Sequence, residues 1–397
     1  MRKIAVITGS RADYGLLYWT LKEIKNSQFL ELKLIVTGMH LSPLYGNTWE
    51  QIIEDGFDGF ERIDMLITSD RPVSISKSIG LGIIGISQTL DAIKPDVLLL
   101  LGDRFEMLAA AVAAIPLSIP IAHIHGGEST GGIMDEQIRH AITKISHIHF
   151  ASTITYAERI KLMGEDPEYV FTVGALGVEH IHRLTLLTKE ELRKQIGIDL
   201  SNPTFLVTFH PETLKVGSNS VYMENILSAL SKVNVDNKQI IFTYPNADTD
   251  NFGIIDLISY YCKNHRNSYI FKNLGQQVYL SLLQYVKVMI GNSSSGIIEA
   301  PSFKLPVVNI GDRQNGRIKC ENVIDTGYSE SEIYASIQKA LDKEYLNKIK
   351  NCVNVYDGGM SSKNIVEVLE GIDINYNVLN KSFHYFDKVN TKITGGI

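Results

Sequence analysis

The chain has 397 residues, 44% hydrophobic and 21% charged, and 38 basic against 44 acidic side chains leave a formal net charge of −6. That length is more than one ordinary core accommodates and calls for two domains. The composition is that of a globular protein, and the acidic balance argues against nucleic acid as a partner. Three cysteines (Cys262, Cys320 and Cys352) show no CxxC spacing, which fits reduced thiols in a cytoplasm rather than a disulfide framework or thiolate zinc site.

The opening residues, MRKIAVITGS, enter a strand at once, so no signal peptide is expected, and the longest apolar run, about Ile79–Ile86, is interrupted by glycines and too short for a membrane span. Strands are expected at Lys3–Thr8, Leu32–Thr37, Val97–Leu101, Ile119–Ile124, His147–Ala151 and Val170–Val173. Helices are expected at Tyr14–Asn26, Val73–Ile93, Glu106–Ile115 and Met134–Ser146. Gly174–Leu187 breaks the alternation and reads as the interdomain connection. A second series follows, with strands at Phe205–Thr208, Gln239–Thr243, Tyr269–Phe271, Val286–Ile290 and Val307–Ile310. Its helices are Ser220–Val233, Asp250–His265, Gln277–Leu283, one from about Ser294, Ser329–Asp342 and Lys363–Leu369.

Alternating strands and helices imply α/β architecture with parallel sheets covered on both faces. The simplest arrangement is two Rossmann-like domains facing across a cleft, 1–178 and 179–371, with a segment from about 372 to 397 packing back on the first domain. Ligands of such sheets sit at the carboxyl ends of the strands. Arg11, Asp13, Asp103, Arg104, His125 and Glu128 all follow strands and so belong to one edge.

The densest stretch is Ile121–Lys144, IAHIHGGESTGGIMDEQIRHAITK. It places His123 and His125 on a strand, Glu128 in a glycine-rich turn, and Asp135, Glu136, Arg139 and His140 in the first turns of a helix. Asp135 and Arg139 are four residues apart and can pair on one helix face. His125 also reads as a core histidine and Glu128 as a turn residue. A metal set of His123, His125 and Glu128 is the minor alternative, without any HExxH pattern.

Gly9–Gly15, GSRADYG, is not a dinucleotide fingerprint, but Arg11 beside a helix start suits an anion. Asp103 in LLLLGDR reads as a general base, a ligand anchor or a helix cap. His210 in Phe209–Glu212, FHPE, ends the first strand of the second half and reads as a hydrogen-bonding or proton-transfer group. Gly291–Gly296, GNSSSG, followed by Glu299, supplies hydroxyls and N–H donors for a phosphate, with Glu299 placed for ribose hydroxyls; Arg313 and Arg317 in GDRQNGR add positive charge.

These motifs, with YPNAD and the His-Pro pair, run from Gly9 to Arg317 in the order found in the hydrolysing UDP-N-acetylglucosamine 2-epimerase family, which this chain resembles. The resemblance implies a glycosyltransferase-B-like fold with the active site in the cleft. On that pattern Arg11, Ser293, Ser294 and Arg313 hold the diphosphate and Glu299 the ribose, with Asp13, Arg104 and Asn246 in the nucleotide-binding set. Asp103, Asp135, Glu136, Arg139 and His210 fall at positions where relatives carry catalytic groups. Several relatives have Glu where this chain has His125, so His125 and Glu128 both stand as catalytic candidates. The implied reaction converts UDP-N-acetylglucosamine and water to N-acetylmannosamine and UDP, in sialic-acid-type sugar synthesis. The same chemistry on UDP-N,N′-diacetylbacillosamine, and non-hydrolysing epimerisation, are the alternatives. Neither a redox cofactor nor a metal is expected; a homodimer is.

Overall fold

The computed structural model describes residues 1–69, 71–130, 133–212, 217–233, 236–245 and 251–384. The chain divides into two compact units. The first comprises Met1–Glu128, Ile133–Leu176 and the chain from Gly358 onward; the second comprises Gly177–Asp357 together with Ser129 and Thr130.

The first unit holds β1 (Arg2–Thr8), β2 (Leu30–Thr37), β3 (Phe60–Ile63), β4 (Val97–Leu101), β5 (Ile121–Ile124), β6 (Ile148–Ala151) and β7 (Val170–Thr172). All pairings are parallel, in the order β3-β2-β1-β4-β5-β6-β7. Strand period decides which residues meet which layer. Ile4 and Val6 of β1 join Leu17, Leu21 and Ile24 of the helix Arg11–Asn26 in one core. Ala5 and Ile7 join Ile86, Leu90 and Met107 from the helices Pro72–Ile93 and Phe105–Ala114 in the other.

The second unit repeats the plan with β8 (Thr204–Thr208), β9 (Gln239–Thr243), β10 (Ser268–Phe271), β11 (Val288–Gly291), β12 (Val307–Ile310) and β13 (Val323–Thr326). Its parallel order is β10-β9-β8-β11-β12-β13. Phe205 and Val207 face one core and Leu206 the other. Both sheets therefore have Rossmann strand order, with the order reversing between the first and fourth strands of each.

Several expectations need correction. The chain returns to the first unit at Gly358 rather than near 372, because Ile365, Val366 and Leu369 of the helix Ser361–Gly371 pack into the core beneath β1. Ser27 Oγ also donates to Glu370 Oε1 at 2.5 Å. The chain does pass from the first unit to the second within Gly174–Leu187, at Leu176–Gly177, inside the helix Leu176–Arg183. The run around Ile79–Ile86 lies inside a 22-residue helix, Pro72–Ile93, whose mean hydropathy reaches 1.2 over an 18-residue window. By length and composition that helix meets the criterion for a span; here its inner face covers the sheet. The helix expected from Ser294 is a single turn, Ser295–Ile298, that runs into a 3-10 turn at Ala300–Phe303.

Candidate functional site

At each point where strand order reverses, the loops leaving the two adjacent strands open a crevice, the usual ligand position in such sheets. In the first unit these are Gly9–Ser10 with the first helical turn from Arg11 after β1, and Gly102–Arg104 after β4, flanked by His125–Glu128 after β5. In the second they are Phe209–Glu212 after β8 and Gly291–Ser294 after β11, flanked by Gly311–Arg317 after β12.

The first edge is organised around Arg139, on the helix Ile133–Ile145. Ile138 and Ile142 turn this helix into the core, which carries Arg139 in with them to 3% exposure. Its guanidinium pairs with Asp103, and Nη1 donates to Glu136 Oε2 at 3.1 Å and to the Glu128 carbonyl at 3.2 Å. A cation this buried requires such partners, and in return it fixes two partly exposed carboxylates side by side. Glu136 also meets His140 Nε2 at 3.1 Å. Asp135 is exposed, and its charge favours the cationic form of Arg104.

The two histidines of the strand end differ. His123 is fully buried: Nε2 lies 2.7 Å from the Gly102 carbonyl, which only accepts, so Nε2 carries the proton and Nδ1 faces Thr143 Oγ1 at 3.2 Å. Burial holds its pKa down, to about 3. It is a neutral brace for the turn that presents Asp103, and this use of Nε2 runs against the metal alternative.

His125 has φ of +64°, a left-handed conformation uncommon for a residue with a side chain. The Leu176 N–H donates to its Nε2 at 3.4 Å, so Nδ1 bears the proton and faces Glu128 Oε1 at 3.7 Å. That oxygen also accepts from Ser152 Oγ at 2.6 Å. The His125 side chain is 14% exposed and that of Glu128 5%, so His125 is the member turned toward solvent.

Beside β1, Arg104 Nε lies 3.3 Å from Asp13 Oδ2, and the same guanidinium binds Glu106, a residue that sequence reading passed over as a helical position. Burial lifts Asp13 to about 6; Arg104 opposes the rise and Glu106 adds to it. Arg11 is exposed in the first turn of its helix. His40, also missed, is buried between Thr8 Oγ1 at 3.0 Å and Thr48 Oγ1 at 2.7 Å, and burial lowers it to about 4.

The second edge is joined by a neutral amide. Asn292 Oδ1 accepts from the His210 N–H at 2.7 Å and its Nδ2 donates to the His210 carbonyl at 2.8 Å. Its own carbonyl accepts from Arg313 Nη1 at 3.2 Å and Gln314 Nε2 at 2.8 Å. Gly291 sits at φ +132°, where an added Cβ would lie 1.9 Å from the Thr208 carbonyl oxygen. Only glycine lets the strand end approach so closely. His210 is buried, and burial together with the Arg313 charge depresses it to about 3, so it is a neutral hydrogen-bonding group at physiological pH rather than a ready proton donor.

Ser293 and Ser294 are half-buried beside these groups. Burial raises the Glu299 carboxyl, with Ser295 and the Arg317 charge opposing, and its Oε2 is buried without a hydrogen-bond partner among the described residues. An acceptor in that state is stabilised by any ligand hydroxyl that reaches it. Glu212, not foreseen, accepts the Tyr328 hydroxyl at 2.8 Å on both oxygens and the Asp312 N–H at 3.3 Å, anchoring the Gly311–Arg317 loop. Asn246 lies outside the described residues.

Residues 22–370 match the family model described as UDP-N-acetylglucosamine 2-epimerase. The chain is 40% identical over 385 residues to UDP-N,N′-diacetylbacillosamine 2-epimerase (hydrolyzing) of Legionella pneumophila, covering 97% of this chain and 100% of that one. It is 39% identical over 345 residues to GDP/UDP-N,N′-diacetylbacillosamine 2-epimerase (hydrolyzing) of Campylobacter jejuni, covering 87% and 88%. Among solved structures, UDP-GlcNAc 2-epimerase from Neisseria meningitidis, bound to UDP-GlcNAc, has the same fold: TM-score 0.75, 22% identity, 93% of this chain and 99% of that one.

Proposed function

Because the chain belongs to the UDP-N-acetylglucosamine 2-epimerase family, we propose that it is a hydrolysing 2-epimerase, converting a UDP-linked 2-acetamido sugar and water to the free 2-epimeric sugar and UDP. The substrate placed first is UDP-N,N′-diacetylbacillosamine, because both relatives near 40% identity are named for it. UDP-N-acetylglucosamine, put first by sequence reading, becomes the second reading; it is the substrate named for the Neisseria meningitidis relative at 33% identity.

The observation that carries the chemistry is the pair of carboxylates, Asp103 and Glu136, held on one buried arginine. The C2 hydrogen of the sugar is not adjacent to a carbonyl, so direct removal would leave an unstabilised carbanion. Elimination avoids this: a carboxylate takes the C2 proton as the C1–O bond to UDP breaks, giving a 2-acetamidoglycal and UDP. Water then adds across the double bond. C2 receives a proton on the opposite face, C1 receives hydroxyl, and the manno sugar is released. Asp103, Glu136 and Asp135 are the candidate acid and base groups, His125 the candidate second proton carrier with Glu128 orienting it, and Arg139 the group that sets carboxylate position.

The second edge suits the leaving group. Arg313, Ser293, Ser294 and the neutral His210 suit the diphosphate, and Glu299 Oε2 suits a ribose hydroxyl. Three free thiols and a nucleotide-sugar substrate fit the cytoplasm. For the homodimer reading, Val73, Leu81 and Ile84 expose an apolar stripe along the helix Pro72–Ile93.

The deciding experiment incubates the protein with each UDP-sugar separately and follows products by proton NMR. Free UDP and a free manno sugar are expected, faster from the diacetamido substrate. Intact UDP-linked epimer would mean the non-hydrolysing reaction, and an inert mixture would sink the proposal.

A further inference from the structure

Glu106 has no exposed surface, although it carries a charge one turn from the ligand-facing strand ends. Both carboxylate oxygens are spent on one partner: Arg104 Nη2 donates to Oε1 at 2.6 Å and Nε to Oε2 at 3.1 Å. This two-point fork fixes the plane of a guanidinium, which a single contact does not.

The backbone is also shaped to admit that carboxylate. A Cβ at Gly9 would come within 3.0 Å of Glu106 Cδ. At Gly38, where φ is +59°, it would come within 2.7 Å of Glu106 Oε1. The loops after β1 and β2 thus close over the carboxylate, and the Met39 N–H joins them by donating to the Gly9 carbonyl at 2.8 Å. Three strand ends therefore converge on a carboxylate with no exposed surface. Arg104 keeps partial exposure, 29% for its side chain, and its Nη1 has no hydrogen bond among the described residues.

We propose that Glu106 is a positioning residue: by gripping the Nε–Nη2 edge of Arg104 it aims Nη1 at the UDP-sugar, in the reaction proposed above, on which this inference rests. Arg104 is then the ligand-touching member, with Asp13 at 3.3 Å as its neighbour on the opening side.

The test is a double-variant cycle of Glu106→Gln, Arg104→Gln and both together, each measured for kcat/KM with the better UDP-sugar, for UDP affinity by calorimetry, and for thermal midpoint. Glu106→Gln is expected to lower kcat/KM about ten-fold or more, and the double variant to fall no further than Arg104→Gln alone. A residue that acts only on stability would shift the midpoint and leave the two losses multiplying. If Glu106→Gln does not fold, Arg104→Met/Glu106→Met takes its place, since removing both charges together leaves neither buried alone, and it must match Arg104→Met. Wild-type kcat/KM in Glu106→Gln, or multiplying losses, overturns the inference. If the wild-type protein turns over neither UDP-sugar, the functional reading fails separately and the same cycle is judged on UDP affinity, where unchanged or multiplying losses again overturn it.

Discussion

The two strand edges share a topology and treat charge in opposite ways. On the first, carboxylates are gathered around arginines: Asp103 and Glu136 on Arg139, Asp13 and Glu106 on Arg104. On the second, an uncharged amide, Asn292, ties the loops together, His210 is stripped of its charge by burial, and Glu299 keeps an oxygen without a partner among the described residues. In the proposed reaction the first edge would serve mainly to move protons and the second to hold the nucleotide. Proton transfer needs ionised groups held close, whereas a diphosphate and ribose are held by neutral donors, a few cations and an acceptor awaiting a hydroxyl.

If that division is right, the largest effect comes from the first edge. Asp103→Asn should lower kcat by about 1,000-fold while UDP affinity by calorimetry stays near wild type; full turnover would remove Asp103 from the mechanism. Glu299→Gln should do the reverse, weakening UDP about ten-fold with a much smaller change in kcat, and a variant that binds UDP normally would break the second half of the comparison.

Smaller effects concern pH and stability. His123 and His210 are held to about 3, and His40 and His147 to about 4, so their folded values lie below the unfolded value near 6.5. Between those values the unfolded chain binds protons that the folded one refuses, so stability falls as pH drops below 6.5, by about 1.4 kcal/mol per pH unit for each such group. Glu165, held near 2 by His149, Lys144 and Lys381 despite its burial, adds a loss that begins only below its unfolded value near 4.5. A thermal midpoint that does not decline from pH 7.5 to 5 would contradict these burials. Asp13 has the opposite sign: raised to about 6, it stabilises the fold most below 3.8 and loses that contribution as pH rises through 6. Asp13→Asn should therefore raise the midpoint relative to wild type more at pH 7.5 than at pH 5, and an equal shift at both would remove the burial argument for Asp13.

Much of the architecture was legible in the sequence, because buried parallel strands are continuous apolar runs such as Val97–Leu101, preceded by Lys94-Pro95-Asp96 and followed by Gly102. The edge strands β3 and β13 were not, since FERI and VIDT alternate polar residues on an exposed face. The helix Lys189–Ile196 did carry a signal, a Thr188–Glu191 capping box, that was passed over. At the candidate site, position alone placed Asp103, His125 and His210 at strand ends, where the structure has them. Glu106, His40 and Glu212 were not found, because their importance lies in contacts between segments distant in sequence: Gly9 and Gly38 show why Glu106 fits only once the fold brings them together. The roles of His125 and Glu128 likewise needed the Leu176 N–H and Ser152, which no local motif announces.

The central claim, elimination of UDP followed by hydration at one carboxylate-lined edge, is tested most directly by running the reaction in deuterium oxide and reading the released sugar by NMR and mass spectrometry. One deuterium bound to carbon, at C2 of a free manno sugar and accompanied by free UDP, is the predicted result. A released sugar with hydrogen retained at C2, or an epimer still attached to UDP, would contradict it.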